Sequence, residues 1–167
     1  MIGITPKGIR MQQAISELLP ILKNVTIFAG LTDETIAQIY NACGTVSFPA
    51  GEIIIRESTP GDHIYIILRG FVKIVLNLDT DPMEITRFGA GNCLGEVSLI
   101  GILNHSASVV AIDYTELLVI SRKFLLDIVK DDKTLFSMLV LNIARELARR
   151  LYKTNEILLH YGNTRNS

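Results

Sequence analysis

Hydrophobic positions along this chain change their period twice. Apolar residues first recur at helical spacing from Ile9 to Leu19, which predicts a helix that Pro20 ends or kinks. Thr32 is an N-cap residue for a second helix reaching about Ala42. Asp33 and Glu34 lie in its favourable first turn, and Leu31, Ile36, Ile39 and Tyr40 lie on one side. From Thr45 the runs become short and β-branched: Glu52–Arg56, Ile64–Leu68, Phe71–Leu78, Glu84–Phe88, Ser108–Ile112 and Glu116–Ile120. Pro49-Ala50-Gly51, Pro60-Gly61-Asp62, Arg69-Gly70 and Asp79-Thr80-Asp81-Pro82 punctuate them as turns. Helical spacing returns after Ser121, an N-cap for a short helix over Arg122–Lys130. Thr134 then opens a long helix to about His160. Its apolar stripe (Phe136, Leu139, Val140, Ile143, Leu147, Leu151, Leu158) is longer than a small roll covers easily. The stripe reads as part core and part dimer seam, the alternative being a helix packed wholly on its own roll.

This order predicts an α+β fold: a jelly-roll-like β-roll of about eight antiparallel strands, flanked by N-terminal helices and a long C-terminal helix. No helix alternates with the strands, which excludes a doubly wound parallel sheet. The expected organisation is an N-terminal helical segment over 1–26, the roll over 27–133, and the long helix with a frayed polar tail (Asn163–Ser167) over 134–167.

Composition adds mostly exclusions. The chain has 167 residues, 49% apolar and 20% charged, enough for one domain with a real core and too apolar for disorder. A net charge of −1 gives no overall reason to expect nucleic acid or an anionic membrane. The longest uncharged run, Val97–Ile112, is shorter than a membrane span and carries polar residues. Met1–Lys23 lacks the pattern of a secretory signal. Cys43 and Cys93, without a CxxC, read as small buried hydrophobes in a reducing cytoplasm, and His63, His105 and His160 are too scattered for a metal site. Arg145, Arg149, Arg150 and Lys153 make the last helix locally basic. They read as a solvated face, with partner docking as the sharper alternative.

The chemistry concentrates between Phe88 and Val109. Glycines at 89, 91, 95 and 101 permit tight turns, and one short helical turn fits between Gly95 and Gly101. The N-terminus of such a turn attracts an anion. Glu96 sits there, where it either accepts hydrogen bonds from a sugar hydroxyl or complements the dipole of its own turn. Val97-Ser98-Leu99 is not a nucleophile elbow, and Gly89–Gly95 lacks the Lys-Ser/Thr of a P-loop. No carboxylate pair is forced together by spacing, and no enzyme is expected.

Two separated stretches carry a resemblance. Phe48-Pro49-Ala50-Gly51-Glu52 with Ile55–Ile74 resembles the first half of the cyclic-nucleotide-binding domain, the family of the bacterial catabolite activator and the protein kinase A regulatory subunits. Gly95-Glu96 and Ser106-Ala107-Ser108-Val109 resemble its phosphate-binding cassette. The resemblance implies a regulatory binding module for cAMP or cGMP with no other cofactor. Glu96 would hold the ribose 2′-hydroxyl. Backbone N–H groups at Gly95 and near Ser106-Ala107, with the Ser106 hydroxyl, would face the phosphate. Ile85 and Thr86 would lie near the base. The implied binding set is Gly95, Glu96, Val97, His105, Ser106, Ala107, Ile85 and Thr86. The long helix would close over the base, pair with a second subunit as a homodimer, and signal to an effector protein. The chain ends at Ser167, so a DNA-binding output domain is not expected.

One departure matters most. Where the family carries arginine, this chain has His105, preceded by Asn104 where proline is common. Arginine presents a permanently charged fork matched to phosphate, whereas histidine, with an ordinary pKa of about 6.5, is largely neutral at pH 7. Three readings stay open: weak, pH-dependent binding of a cyclic mononucleotide; a different ligand such as a cyclic dinucleotide; or a degenerate module acting in dimerisation or protein–protein contact. Ser58, at a common glycine position, is a lesser departure affecting a turn.

Overall fold

A computed structural model describes residues 7–165, with side chains described from 15 to 159. In chain order it contains α1 (Lys7–Lys23), a 3₁₀ turn (Thr26–Phe28), α2 (Asp33–Ala42), β1 (Gly44–Phe48), β2 (Ile53–Ile55), β3 (His63–Arg69), β4 (Phe71–Leu76), β5 (Met83–Gly89), β6 (Cys93–Leu94), α3 (Glu96–Gly101), β7 (Ser108–Ala111), β8 (Thr115–Ser121), α4 (Arg122–Asp131) and α5 (Lys133–Arg165). The eight strands form two antiparallel four-stranded sheets, ordered β1-β8-β3-β6 and β2-β7-β4-β5. This is the expected α+β roll.

Central strand β3 shows why its sequence is almost continuously apolar. Ile64, Ile66 and Leu68 join a core shared with Leu22, Phe28, Ile36, Leu139 and Ile143 of the helical layer. Ile67, pointing the other way, joins Ile55, Val72, Leu94, Val109 and Leu117 inside the roll. Both faces are buried, so alternation disappears from the sequence.

The caps follow the sequence. The Thr32 hydroxyl accepts from the Thr35 N–H, and the Ser121 hydroxyl from the Phe124 N–H. Two helix boundaries need the structure to set them, since Pro20 was expected either to end or to kink the first helix and Thr134 to open the last. Helix α1 runs through Pro20 to Lys23. Leu18 and Leu22 are buried on either side of Pro20, each contributing roughly 1.5–3 kcal/mol, which offsets the missing proline donor. Helix α5 starts at Lys133, with Asp132 as the side chain that receives the Leu135 N–H at 2.8 Å. The expected frayed tail is helical to Arg165 and otherwise lies outside the described residues, as do residues 1–6 of the N-terminal segment read as lacking a secretory signal.

The position of α5 decides the site. Leu139 and Ile143 are buried and Phe136, Val140 and Leu147 half-buried, so the first half of the stripe is core. Asn142, itself buried, donates to the carbonyls of Ile27 (3.2 Å) and Ala29 (2.8 Å) and ties α5 to the 3₁₀ turn. Beyond Arg150 every residue to Leu159 is exposed, including Leu151 and Leu158 of the stripe. No helix among the described residues is long and apolar enough to cross a membrane.

Candidate functional site

The segment rich in glycine folds as the spacing predicts. After the short strand β6, Gly95 adopts φ +84°, the left-handed region, and so turns the chain into α3. It has no room for a side chain: a Cβ there would lie 2.5 Å from the His63 carbonyl oxygen. Glu96 is the first residue of α3 and is 1% exposed. The helix ends at Ile102, also left-handed (φ +53°). The loop that follows is stitched to the β2–β3 turn. His105 donates its N–H to Thr59 O and accepts from Ser58 N, both at 2.8 Å, and Gly61 N reaches Leu103 O at 3.3 Å. Ser58 has φ +66°, so glycine is the less strained residue at that turn. Buried Ser108 fixes the end of the loop by accepting from Glu57 N.

Between α3, this loop, β4, β5 and α5 lies a cavity of about 170 Å³. Seven of the eight expected site residues meet there: Thr86, Gly95, Glu96, Val97, His105, Ser106 and Ala107 all line it. Ile85 does not. The β4–β5 register steps from Ile74–Thr86 to Val75–Glu84, which makes Ile85 the extra residue of a bulge. Its side chain is half-exposed and outside the lining, while Thr86 and Phe88 line the cavity.

Sequence reasoning missed the residue that completes the site. Arg150 of α5 enters the cavity instead of belonging to a solvated face. One guanidinium nitrogen lies 2.5 Å from Glu96 Oε1, the second donates to Cys93 O at 2.7 Å, and Nε donates to Glu146 Oε1 at 2.8 Å. The guanidinium carbon stands 5.2 Å from the centre of the Phe88 ring. Arg149 donates to both oxygens of Glu146, and Arg145 to Asn142 Oδ1. The signal was present in the pattern. Glu146 and Arg150 fall at i, i+4 on the side of the helix that carries Leu139 and Ile143, where a charged pair has no reason to be solvated.

Glu96 is only half satisfied. Oε1 has Arg150, while Oε2 is buried without a hydrogen-bond partner among the described residues. Burial raises the pKa of Glu96, and Arg150 pulls it back only in part. Burial also acts to raise Glu146, but hydrogen bonds from Arg149 and Arg150 outweigh it and hold that carboxyl below its usual range. Cys93 and Cys43 are free thiols pushed up to about 12, chiefly by burial, and are inert as nucleophiles.

His105 lines the cavity from the loop after α3, its ring close to Gly95 (3.6 Å from Cε1 to where a Cβ there would lie). Its ring packs against Gly61, where a Cβ would lie 3.1 and 3.2 Å from Cε1 and Nε2. Burial lowers its pKa, and Asp62 offsets this in part. At neutral pH the imidazole is therefore neutral. The cavity's other ionisable lining groups, Glu96 and Arg150, neutralise each other. No cluster of metal-ligating groups occurs among the described residues.

These elements are a left-handed glycine, a buried glutamate opening a short helix, and a stitched loop across a roll. The cyclic nucleotide-binding domain profile matches residues 45–132, spanning both sheets and this cassette. The chain belongs to the cyclic nucleotide-binding domain family. It is 31% identical over 139 residues to the CRP-like cAMP-activated global transcriptional regulator of Mycobacterium tuberculosis, covering 83% of this chain and 60% of that protein. It is 25% identical over 150 residues to the potassium channel KAT1 of Oryza sativa subsp. japonica, covering 90% of this chain and 21% of that one. The chain thus spans less than two thirds of either relative. The crystal structure of a cyclic nucleotide-binding domain from Methylobacillus flagellatus superimposes with a TM-score of 0.77 at 24% identity, covering 88% of this chain and 83% of that one.

Proposed function

We propose that this chain is a regulatory module that binds a cyclic mononucleotide, cAMP or cGMP, in the cavity behind α3. The observation that carries the reading is Glu96: a buried carboxylate with one oxygen held by Arg150 and the other without a partner, at the edge of an open cavity. A buried acceptor left unpaired costs about 1–3 kcal/mol, and a ligand hydroxyl would remove that cost. The backbone at Gly95, the Ser106–Ala107 loop and His105 would receive the phosphate. Thr86 would lie near the base. No catalytic step is assigned to the site. Free cysteines fit the reducing cytoplasm.

His105 sets the strength and pH dependence of binding. In the free protein its pKa lies below the ordinary 6.5, and an anionic phosphate beside it favours the imidazolium. Binding therefore takes up a proton. Affinity rises as pH falls through the raised pKa of the complex, and levels off below the depressed pKa of the free protein. Calorimetric titration with cAMP, cGMP and cyclic di-GMP at pH 6 and pH 8 should show saturable mononucleotide binding, tighter at pH 6. His105→Arg should tighten it at pH 8 by about one to two decades and flatten the dependence, since a hydrogen bond to a charged group is worth roughly 1.5–3 kcal/mol. A neutral residue at the phosphate position also favours a second reading, a degenerate module acting through dimerisation or protein contact. Absence of heat and of any thermal shift with every ligand at both pH values would decide for that reading.

In either reading the signal leaves through α5. Its exposed Leu151, Tyr152, Leu158 and Leu159 would pair with the same helix of a second copy, and an effector protein would read the helix position. Light scattering on the eluting protein should give the mass of a dimer, reduced to a monomer by Leu151→Glu. A monomer at micromolar wild-type concentration would overturn the pairing.

A further inference from the structure

Helix α5 carries a second stripe beside the one its apolar pattern displays. Leu141, Arg145, Ala148, Tyr152, Asn155 and Leu159 recur at spacings of four, three, four, three and four, the repeat of a helix-packing seam. All six are exposed, whereas Leu139, Asn142, Ile143 and Glu146 on the other side of the helix are buried against the roll. The stripe thus faces away from the roll for about five turns, with Leu151 at its flank. Leu141, Tyr152 and Leu159 lie along it at half exposure or more.

Two charges of opposite sign share one edge of this stripe. Arg145 donates to Asn142 Oδ1 and has no ion pair among the described residues, and Glu156 has none either. Eleven residues are close to three turns, so both lie on the same edge, about 16 Å apart along the axis. Within one chain they are too far apart to meet.

We propose that a second copy of this chain packs antiparallel along this stripe, about a two-fold axis beside Arg150 and Leu151, with each Arg145 paired to the partner's Glu156. This gives an orientation and a register to the helix pairing proposed above, on which it rests. The axis sets Leu141 against the partner's Leu159 and seats the partner's Tyr152 over the small Ala148. An antiparallel two-fold also keeps like edges together, so Arg145 and the partner's Glu156 meet at the same height. Pairing is isologous, and both charge contacts form twice. A parallel pair in register would set Ala148 against Ala148, crowd two Tyr152 rings together and hold Arg145 and Glu156 the same 16 Å apart along the axis. The antiparallel pair also covers the tails. Each leaves its own roll after Arg150 and is exposed to Leu159, and here it lies on the roll-docked half of the other helix.

Sedimentation equilibrium of the full chain over a range of concentrations tests the register by charge reversal. Arg145→Glu and Glu156→Arg should each weaken dimerisation about tenfold, because each replaces two opposite-charge contacts by two like-charge ones. An equal mixture of the two single variants should associate within about threefold of wild type, since every contact between unlike chains again joins opposite charges. High salt should shrink the deficit of each single variant. Loss of the Asn142 contact cannot produce recovery on mixing. Should Arg145→Glu not fold, Arg145→Gln should weaken dimerisation about threefold, and Glu156→Gln added to it should weaken it no further. Single variants that dimerise as wild type, or no recovery on mixing, would overturn the antiparallel register and leave helix pairing standing. A wild type that stays monomeric at micromolar concentration sinks the pairing itself, and the register with it.

Discussion

Replacing Gly95 by alanine is expected to lower the stability of the fold by about 2–5 kcal/mol and to abolish ligand binding. Two costs add. The residue sits at φ +84°, where a side chain costs roughly 1–2 kcal/mol in any surroundings. A Cβ would also approach the His63 carbonyl oxygen to 2.5 Å, and that atom is backbone in β3, paired across to Ser121 of β8. A flexible side chain could swing aside, but a paired strand cannot without opening its ladder. Gly91→Ala separates the two costs. It has the same left-handed backbone, φ +88°, with nothing within 4 Å of the added atom, so it should lose only the first part. Urea unfolding of the two variants should therefore differ by more than 1 kcal/mol, with Gly95→Ala the worse. Equal losses would mean that the approach to His63 is relieved cheaply and that α3 is not held by that contact. The functional loss has the same cause: moving Gly95 moves the N-terminus of α3 and with it Glu96.

Much of this site was legible in the chain because local chemistry determined it. Left-handed turns leave glycines, caps leave Thr32 and Ser121, and the cassette is contiguous from Gly95 to Val109. The places where the reading failed are those settled by pairing at a distance. Alternation along β5 does not reveal that Ile85 is a bulge residue, because the bulge exists only against Ile74 and Val75 of β4. Pro20 left open whether the first helix ends or continues, and burial of Leu18 and Leu22 on both sides of it decides for continuation. Arg150 was the costliest omission. A run of arginines on a helix reads as solvated until the direction of the helix relative to α3 is known, and its partner lies 54 residues earlier. The identity of position 105 and its largely neutral state at pH 7 were visible, whereas the further lowering of its pKa comes from burial that only the fold supplies.

That partner gives the second large effect. Arg150→Met is expected to destabilise the protein by about 3–5 kcal/mol at pH 7–8, the cost of breaking a buried ion pair from one side. The methionine fills much of the space, so the penalty lies in Glu96, 1% exposed and stripped of its counter-charge. Its pKa is already raised by burial, and removing Arg150 takes away the main influence lowering it. The sign of the pH dependence follows. In the variant the folded carboxyl binds a proton at a higher pH than the unfolded one, so the folded state is the more protonated across that window. The destabilisation is complete above the raised folded pKa and shrinks as pH falls through it. It stops changing near 4.5, where the unfolded glutamate also protonates. Glu146 adds to the same trend: it keeps Arg149 in the variant but loses Arg150, so part of the stability that its lowered pKa gives wild type, and that acidification removes, is already missing from the variant. Denaturant midpoints of wild type and Arg150→Met from pH 8 to pH 4.5 should therefore converge. A Glu96→Gln, Arg150→Met double variant, carrying no buried charge at either position, should recover most of the loss at pH 8 and keep only the smaller convergence that comes from Glu146. A constant gap between wild type and Arg150→Met at every pH would mean that lost packing against Phe88, and not the stranded carboxylate, is what the arginine prevents.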